Sequence, residues 1–283
     1  IVSCKLISSR PTKHPNKIRH AITINDATRA STALKHIRRD DGVVVYTGGD
    51  YHNARQLLQA IKNKYSRKYQ KKKHHTYPGN IPVDTNYITL QWIKQRKSQQ
   101  EQSEAVGKIL IQISIKDSIP NQITGLKRVA KHAPQIFAYA FRNDKDMLKD
   151  KLGNETSSFL LPLSDFLGMV GGYEWNRRGV LIGALQDYIY PHFGVFPPTR
   201  QDYIELLDNI DTTSPKQDTS LMEVGIGTGV LSIILLQQKK VKRVIGTDCN
   251  PYAIACAKDN VKRFGYGEHV DLVQTDLFPT KED

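Results

Sequence analysis

Cysteine is scarce in this chain of 283 residues. The three present, Cys4, Cys249 and Cys256, show neither metal-ligand nor disulfide spacing. That excludes a disulfide-stapled scaffold. Cys249 and Cys256 are expected to pack as small apolar residues, and a reducing, cytoplasmic compartment is the plain reading. Long apolar runs are also missing; none approaches the ~20 residues that a membrane helix needs, so no membrane partner is expected. The opening residues, IVSCKLISSRPTKHP, have no apolar centre, which argues against a secretory signal. They also lack an initiator Met, so the start is expected to be incomplete. Without a secretory signal, Asn154-Glu155-Thr156 reads as a chance glycosylation sequon. His74-His75 has no further ligand nearby, and no metal is expected.

Acid is short in one half only. Residues 1–150 hold 28 Lys/Arg against 11 Asp/Glu, a net +17, whereas residues 151–283 hold 13 against 17, a net −4. The asymmetry suggests a basic module that meets a polyanion, joined to a near-neutral catalytic module. With 39% hydrophobic and 24% charged residues the chain is globular, long enough for one large domain or two ordinary ones.

The first 20 residues are basic, Pro-bearing and aperiodic, which predicts a mobile arm. A short helix over 27–37 precedes VVVY, a buried-strand signal, and Gly48-Gly49 reads as a tight connection. Ala54, Leu57, Leu58, Ile61, Tyr65 and Tyr69 then fall on one stripe of an amphipathic helix. Its end carries Lys64, Arg67, Lys68, Lys71, Lys72 and Lys73 among tyrosines, a pattern that suits phosphate contact and base stacking and equally suits a solvated lysine-rich helix end. Residues 87–92 look strand-like, 108–115 form a firm strand, and 118–134 read as a helix stopped at Pro134. Residues 136–141 and 159–163 are further short apolar runs. Residues 21–165 are therefore expected to form a basic α/β or α+β domain that recognises substrate.

Further on, the apolar run Leu221, Met222, Val224 breaks into Gly225, Gly227 and Gly229. A helix-length apolar segment follows, then a second short run that ends on Thr247-Asp248. Strand, glycine loop, helix, strand, acid opens a nucleotide-binding α/β unit. The loop must turn sharply and let a ligand approach its backbone, and the acid suits a ribose hydroxyl pair. The glycines alternate after Glu223 as E-x-G-x-G-x-G, without the later third glycine of the dinucleotide fingerprint. This form resembles motif I of class I S-adenosylmethionine-dependent methyltransferases. Asp248, Asn250-Pro251 and Asp276 (in VQTDLF) stand in register with that family's ribose acid, helix start and adenine contact.

The resemblance implies a Rossmann-like domain over residues 216–283 that holds S-adenosyl-L-methionine through Glu223, Gly225, Gly227, Gly229, Asp248, Asn250 and Asp276. A bridge over residues 166–215 precedes it. Its HFGVFPPTR stretch resembles the element before motif I in release-factor glutamine and ribosomal RNA guanine methyltransferases, a strand leading into a helix. That likeness suggests pocket roles for Phe196, Thr199 and Arg200; an apolar linker packing two domains is the other reading. The helix is expected to start near Gln201, with Tyr203, Ile204, Leu206 and Leu207 inward. Only the first three of the family's seven strands can be placed, and its Asn-Pro-Pro-aromatic motif does not occur in the chain. That motif, and with it the catalytic residues, is expected beyond Asp283. A fragment that is inactive by itself is expected. The implied activity is N-methylation of an RNA base amine or a protein glutamine amide, with RNA or a ribosomal or translation-factor protein as partner. A non-catalytic nucleic-acid-binding protein with a vestigial methyltransferase fold is the alternative.

Overall fold

The structure, a computed structural model, describes residues 5–6, 20–39, 42–71, 85–116, 119–129, 132–142, 158–208 and 220–279. Two units form, residues 1–167 and 168–283. The predicted arm, apart from 5–6 and 20, lies outside the described residues, as do Lys72, Lys73 and the His74-His75 pair. Asp283, beyond which the catalytic motif is expected, lies outside them too.

In the first unit β1 (Lys5–Leu6) is followed by β2 (His20–Asn25), α1 (Ala30–Ile37), β3 (Gly42–Gly48), α2 (Tyr51–Lys71), α3 (Thr85–Gly107), β4 (Ile109–Lys116), β5 (Ile119–Ile123), α4 (Ala133–Ala140) and β6 (Ser158–Pro162). The strands make one sheet ordered β1-β6-β4-β3-β2, with β5 also on β4. β2, β3 and β4 run parallel, and β6 and β5 run antiparallel to β4. The period of two in β3 and β4 sends side chains to both faces. Val44, Tyr46, Ile109, Ile111 and Ile113 are buried, and on the other face Val43, Leu110 and Leu160 make a smaller cluster. Helix α2 buries Ala54, Leu57, Leu58, Ile61 and Tyr65 of the stripe its sequence spells; the side chain of Tyr69 lies outside the described set. Gly49, at φ +122°, is pressed against the Asp26 carboxylate, where a Cβ would overlap it; the glycine pair is a tight connection into α2.

Two expectations fail here. Residues 87–92 belong to α3, not to a strand, and Leu90, Trp92 and Ile93 on it are exposed. The apolar run is short, and the Gln/Lys/Arg/Glu-rich stretch after it is made of strong helix formers that carry the helix upstream. The helix expected over 118–134 is instead strand β5 and a turn, and the helix starts later, at Ala133. Pro120 suits a strand at a register shift better than a helix interior. Pro134 opens α4 rather than stopping a helix, because the first helical turn needs no N–H from it.

Helix α5 (Leu163–Arg178) carries the chain into the second unit. A hairpin of β7 (Val180–Ile182) and β8 (Asp187–Ile189) follows, then α6 (Asp202–Asp208), β9 (Ser220–Val224), α7 (Val230–Gln237), β10 (Arg243–Asp248), α8 (Pro251–Arg263) and β11 (Val270–Gln274). The last three strands form a parallel sheet with β10 in the centre. Its core joins Ile233, Ile234, Val244, Ala257, Val261 and Val270 to Val180, Ile182, Ile189 and Ile204 of the preceding segment. The bridge is thus part of this unit's core. It holds no strand directly before its helix: residues 190–201 are irregular, and Pro197 and Pro198 have no N–H for a ladder. α6 turns in Ile204 and, partly, Leu207, while Tyr203 and Leu206 are exposed, against expectation. Seven residues at 100° per residue bury one i, i+3 pair, not four side chains.

No described helix is long and apolar enough to cross a membrane.

Candidate functional site

The three strands of the second sheet end side by side, and the chain leaving β9 must fold back over β10 to start α7. Gly225, Gly227 and Gly229 make that turn with φ of +76°, +55° and +78°, the left-handed region that disfavours any side chain. The Gly225 and Ile226 N–H groups donate to the Thr247 carbonyl at 2.7 and 2.9 Å. The Gly227 N–H donates to Asp248 Oδ2 at 3.1 Å. Ile226 plugs the loop onto Gly246, where a Cβ would lie 2.2 Å from Ile226 Cδ1.

The three loop glycines face different surroundings. A Cβ on Gly225 would meet no atom within 4 Å, and one on Gly227 only the Gly225 carbonyl at 3.9 Å. A Cβ on Gly229 would come within 3.3 Å of Val261 Cγ2 and 3.5 Å of Ala257. Gly229 lets α7 and α8 pack closely, while Gly225 and Gly227 leave an open cradle above the loop. Such a cradle, with bare backbone on one side and a carboxylate on the other, fits a nucleoside-bearing ligand.

Gly229 precedes α7 and cannot cap it with a side chain. Glu223 does so from the end of β9, accepting from the Ser232 N–H at 3.1 Å and, through a short hydrogen bond, from the Ser232 hydroxyl. Burial pushes the Glu223 carboxyl up to about 7, against the lowering effect of the two Ser232 donors.

Asp248 anchors the opposite side. Its Oδ1 accepts from the Asn250 N–H at 2.9 Å and its Oδ2 from Gly227, leaving further lone pairs on both oxygens. Asn250 caps α8 by accepting from the Tyr252 N–H at 3.0 Å and donates to the Gly194 carbonyl at 3.1 Å. Both ends of its amide are therefore used within the protein. Beyond β11, the Thr275 N–H donates to the Asp248 carbonyl at 3.2 Å, and the Thr247 hydroxyl donates to the Leu277 carbonyl at 2.7 Å. These bonds hold Asp276, Leu277 and Phe278 exposed beside Asp248. The described residues end at 279, so the expectation of a catalytic motif beyond Asp283 meets no described residue.

The structure thus gathers Glu223, the three glycines, Asp248, Asn250 and Asp276 at the carboxyl end of one parallel sheet. The HFGVF stretch is tied to it: Val195 packs with Ala253, Cys256 and Tyr252, and His192 Nε2 lies 3.1 Å from Asp259 Oδ2. Phe196 is 74% exposed. Thr199 is exposed too, and Arg200 pairs with Asp202 at 2.6 Å. Lys64 is exposed on α2, in the other unit; the side chains of Arg67, Lys68 and Lys71 lie outside the described set. No group of three or more His, Cys, Asp or Glu among the described residues could hold a metal ion.

Three positioning residues escape a reading of the sequence. Thr247, fully buried, ties the glycine loop to the turn after β11; its only signal is a hydroxyl residue just before the strand-ending acid. Ser232 signals itself as a hydroxyl three residues past a glycine N-cap. Asn260, 2% exposed, accepts from the Tyr190 N–H at 3.0 Å and donates to the Thr228 carbonyl at 3.2 Å, tying α8 to the loop and the bridge; nothing local marks it.

Residues 197–283 match the family model described as ribosomal protein L11 methyltransferase (PrmA). A provisionally assigned protein N5-glutamine methyltransferase of Methanocaldococcus jannaschii is 36% identical over 87 residues, 31% of this chain and 41% of that one. A ribosomal protein L11 methyltransferase of Hamiltonella defensa is 37% identical over 75 residues, 26% of this chain and 23% of that one. The chain thus spans under half the length of either relative. Among solved structures, a ribosomal protein L11 methylase of Lactobacillus delbrueckii subsp. bulgaricus aligns at a TM-score of 0.25 and 21% identity, over 32% of this chain and 45% of that one. The C-terminal segment is similar to class I methyltransferases, and its sheet is Rossmann-like.

Proposed function

We propose that the second unit holds S-adenosyl-L-methionine and serves methyl transfer to a nitrogen of a protein in the translation machinery, a glutamine amide or a ribosomal-protein amine. The observation that carries this reading is the open cradle at Gly225 and Gly227 facing the Asp248 carboxylate. The names of the two relatives support a protein acceptor. When bound, the cofactor supplies an electrophilic methyl group on a sulfonium.

The chain's own residues bind and orient. Gly225 and Gly227 admit the ligand to bare backbone, and the free lone pairs of Asp248 suit a ribose hydroxyl pair. Asp276, exposed near Asp248, suits an exocyclic amine in this reading. Glu223 holds the loop by capping α7 through Oε2, and in this reading its Oε1 is left to meet the ligand. The Gly194–Phe196 stretch, tied to Asn250 by the Gly194 carbonyl, is read as a wall of the site, with exposed Phe196 open to an incoming substrate and Arg200 reaching one only by leaving Asp202.

Among the described residues β9 pairs only with β10, and Met222 and Val224 on it are exposed. That edge is open to a further strand in this reading, and the test of the reading is binding. Titration calorimetry with S-adenosylhomocysteine should give saturable binding, weakened by ~1–3 kcal/mol in Asp248→Ala, the range for hydrogen bonds to a charged group. Equal affinity in the variant, or no binding by the parent chain, would overturn the assignment.

A second reading, transfer to an RNA base amine, is favoured by the net +17 over residues 1–150. A nucleic-acid-binding protein without catalysis would share that charge and differ in leaving the cradle empty in the same titration.

A further inference from the structure

Between α1 and α2 in the first unit lies an open cleft of about 460 Å³ lined by Ser31, Leu34, Lys35, Arg38, Arg39 and Lys64. Leu34 is 4% exposed, while the four cationic residues are all exposed. The fold brings them together. α1 buries Ala33, Leu34 and Ile37, and α2 buries Leu57, Leu58, Ile61 and Tyr65. The cations interleaved with these two stripes converge on one concavity. Three come from the end of the short helix α1 and one from the middle of α2, positions 25 or more residues apart in sequence. No sequence window contains this cluster.

Among the described residues no acid lines the cleft and none of the four cations forms an ion pair. Asp40 and Asp41, which follow Arg39, lie outside the described set. The carbonyl end of α1 offsets part of the charge, but a helix terminus carries only about half a negative charge. Four cations around one concavity repel each other, so an anion seated there is favoured.

The shape separates the candidate anions. A membrane surface would call for apolar side chains projecting beside the cations, and the cleft's single large apolar residue is buried. Base stacking would need an exposed ring. Arg38 already lies over the Tyr65 ring, at 5.8 Å from its centroid, and Tyr65 is 9% exposed. What remains is phosphate recognition. The same helix also continues past Lys64 with Arg67, Lys68 and Lys71, extending a basic track in the sequence.

We propose that this cleft docks the phosphodiester backbone of RNA without regard to base sequence. The site is separate from the cradle of the second unit and holds whichever methyl acceptor is right.

The test is fluorescence anisotropy with the full 283-residue chain and a labelled, unstructured oligouridine over a series of salt concentrations. Lys35→Glu/Lys64→Glu takes one cation from each helix. Lys94→Glu/Lys97→Glu, on exposed positions of α3, changes the net charge equally and serves as control. The first pair should weaken binding about fivefold or more. It should also flatten the log–log salt dependence by about 1.4, at roughly 0.7 per lost phosphate contact on a single strand. Oligoadenine should behave the same. Equal losses in the two pairs would reduce the effect to net charge and overturn the site, as would an unchanged salt slope. Circular dichroism and the milder Lys35→Gln/Lys64→Gln variant separate loss of contact from loss of fold. Affinity for S-adenosylhomocysteine, measured alongside, should not move, so failure here leaves the cofactor reading untouched and the reverse.

Discussion

Replacing Glu223 with Gln tests the link between the glycine loop and its helix through the pH dependence of stability. In the folded chain burial raises the Glu223 carboxyl to about 7 from an ordinary 4.5. A raised acid holds its proton in the folded state while the unfolded chain has already released it. Between the two values the unfolded state therefore binds fewer protons, and stability falls as pH rises from about 4.5 through about 7. The shift corresponds to at most about 3 kcal/mol at 1.36 kcal/mol per unit, and roughly 1–3 kcal/mol once partial exposure is allowed for. Gln keeps an acceptor for Ser232 and has nothing to ionise. Glu and Gln chains should be close in stability at pH 5, with the Gln chain ahead by that amount at pH 8. Trp175 is in the second unit and the other tryptophan, Trp92, is in the first, so denaturation of both proteins in a Trp92→Phe background reports on the right unit. Parallel pH profiles for the two chains would refute the reasoning. So would a parent chain that gains stability relative to the Gln variant as pH rises.

Two further substitutions separate loop geometry from ligand space. Gly229→Ala forces a Cβ into the left-handed region 3.3 Å from Val261 Cγ2, and should cost about 1–3 kcal/mol in chemical denaturation. Gly225→Ala carries the same left-handed strain, at φ +76°, but meets no atom within 4 Å, so it should cost less stability than Gly229→Ala and keep α7 and α8 packed while lowering affinity for S-adenosylhomocysteine. Asn260→Ala leaves the Tyr190 N–H and the Thr228 carbonyl without this partner, and should cost about 2–4 kcal/mol. Cys256, fully buried beside it, should then react with a thiol reagent at a measurable rate.

What the sequence reveals of this protein depends on how far apart the cooperating residues stand. The glycine loop, its strands and Asp248 are legible because one short segment must supply turn, helix start and acid at fixed spacing. The capping of α8 by Asn250 is legible for the same reason, being a local demand of a helix terminus. Residues 87–92 and 118–134 mislead because a few apolar residues fit either period, and the deciding information, a helix-forming stretch downstream or a strand partner, lies outside the window. Asn260 and the gathering of Lys64 with the α1 cations are hidden for a stronger reason: each acts across tens of residues, and although Lys64 stands out in the basic end of α2, nothing local marks the residues it meets.

The same distinction bears on what each unit contributes. The cradle is built of backbone, and backbone geometry is written in glycines that any reader can find. The basic cleft is built of side chains that two helices happen to bring together, so its charge is visible in the composition while its location is not. A net +17 spread over 150 residues would by itself support diffuse attraction only. Four cations around one concavity of about 460 Å³ support a site, because reversing two of them should matter more than reversing two others. If the α3 control pair weakens RNA binding as much as Lys35 and Lys64 do, the charge is acting as a field. The first unit would then attract its partner without docking it.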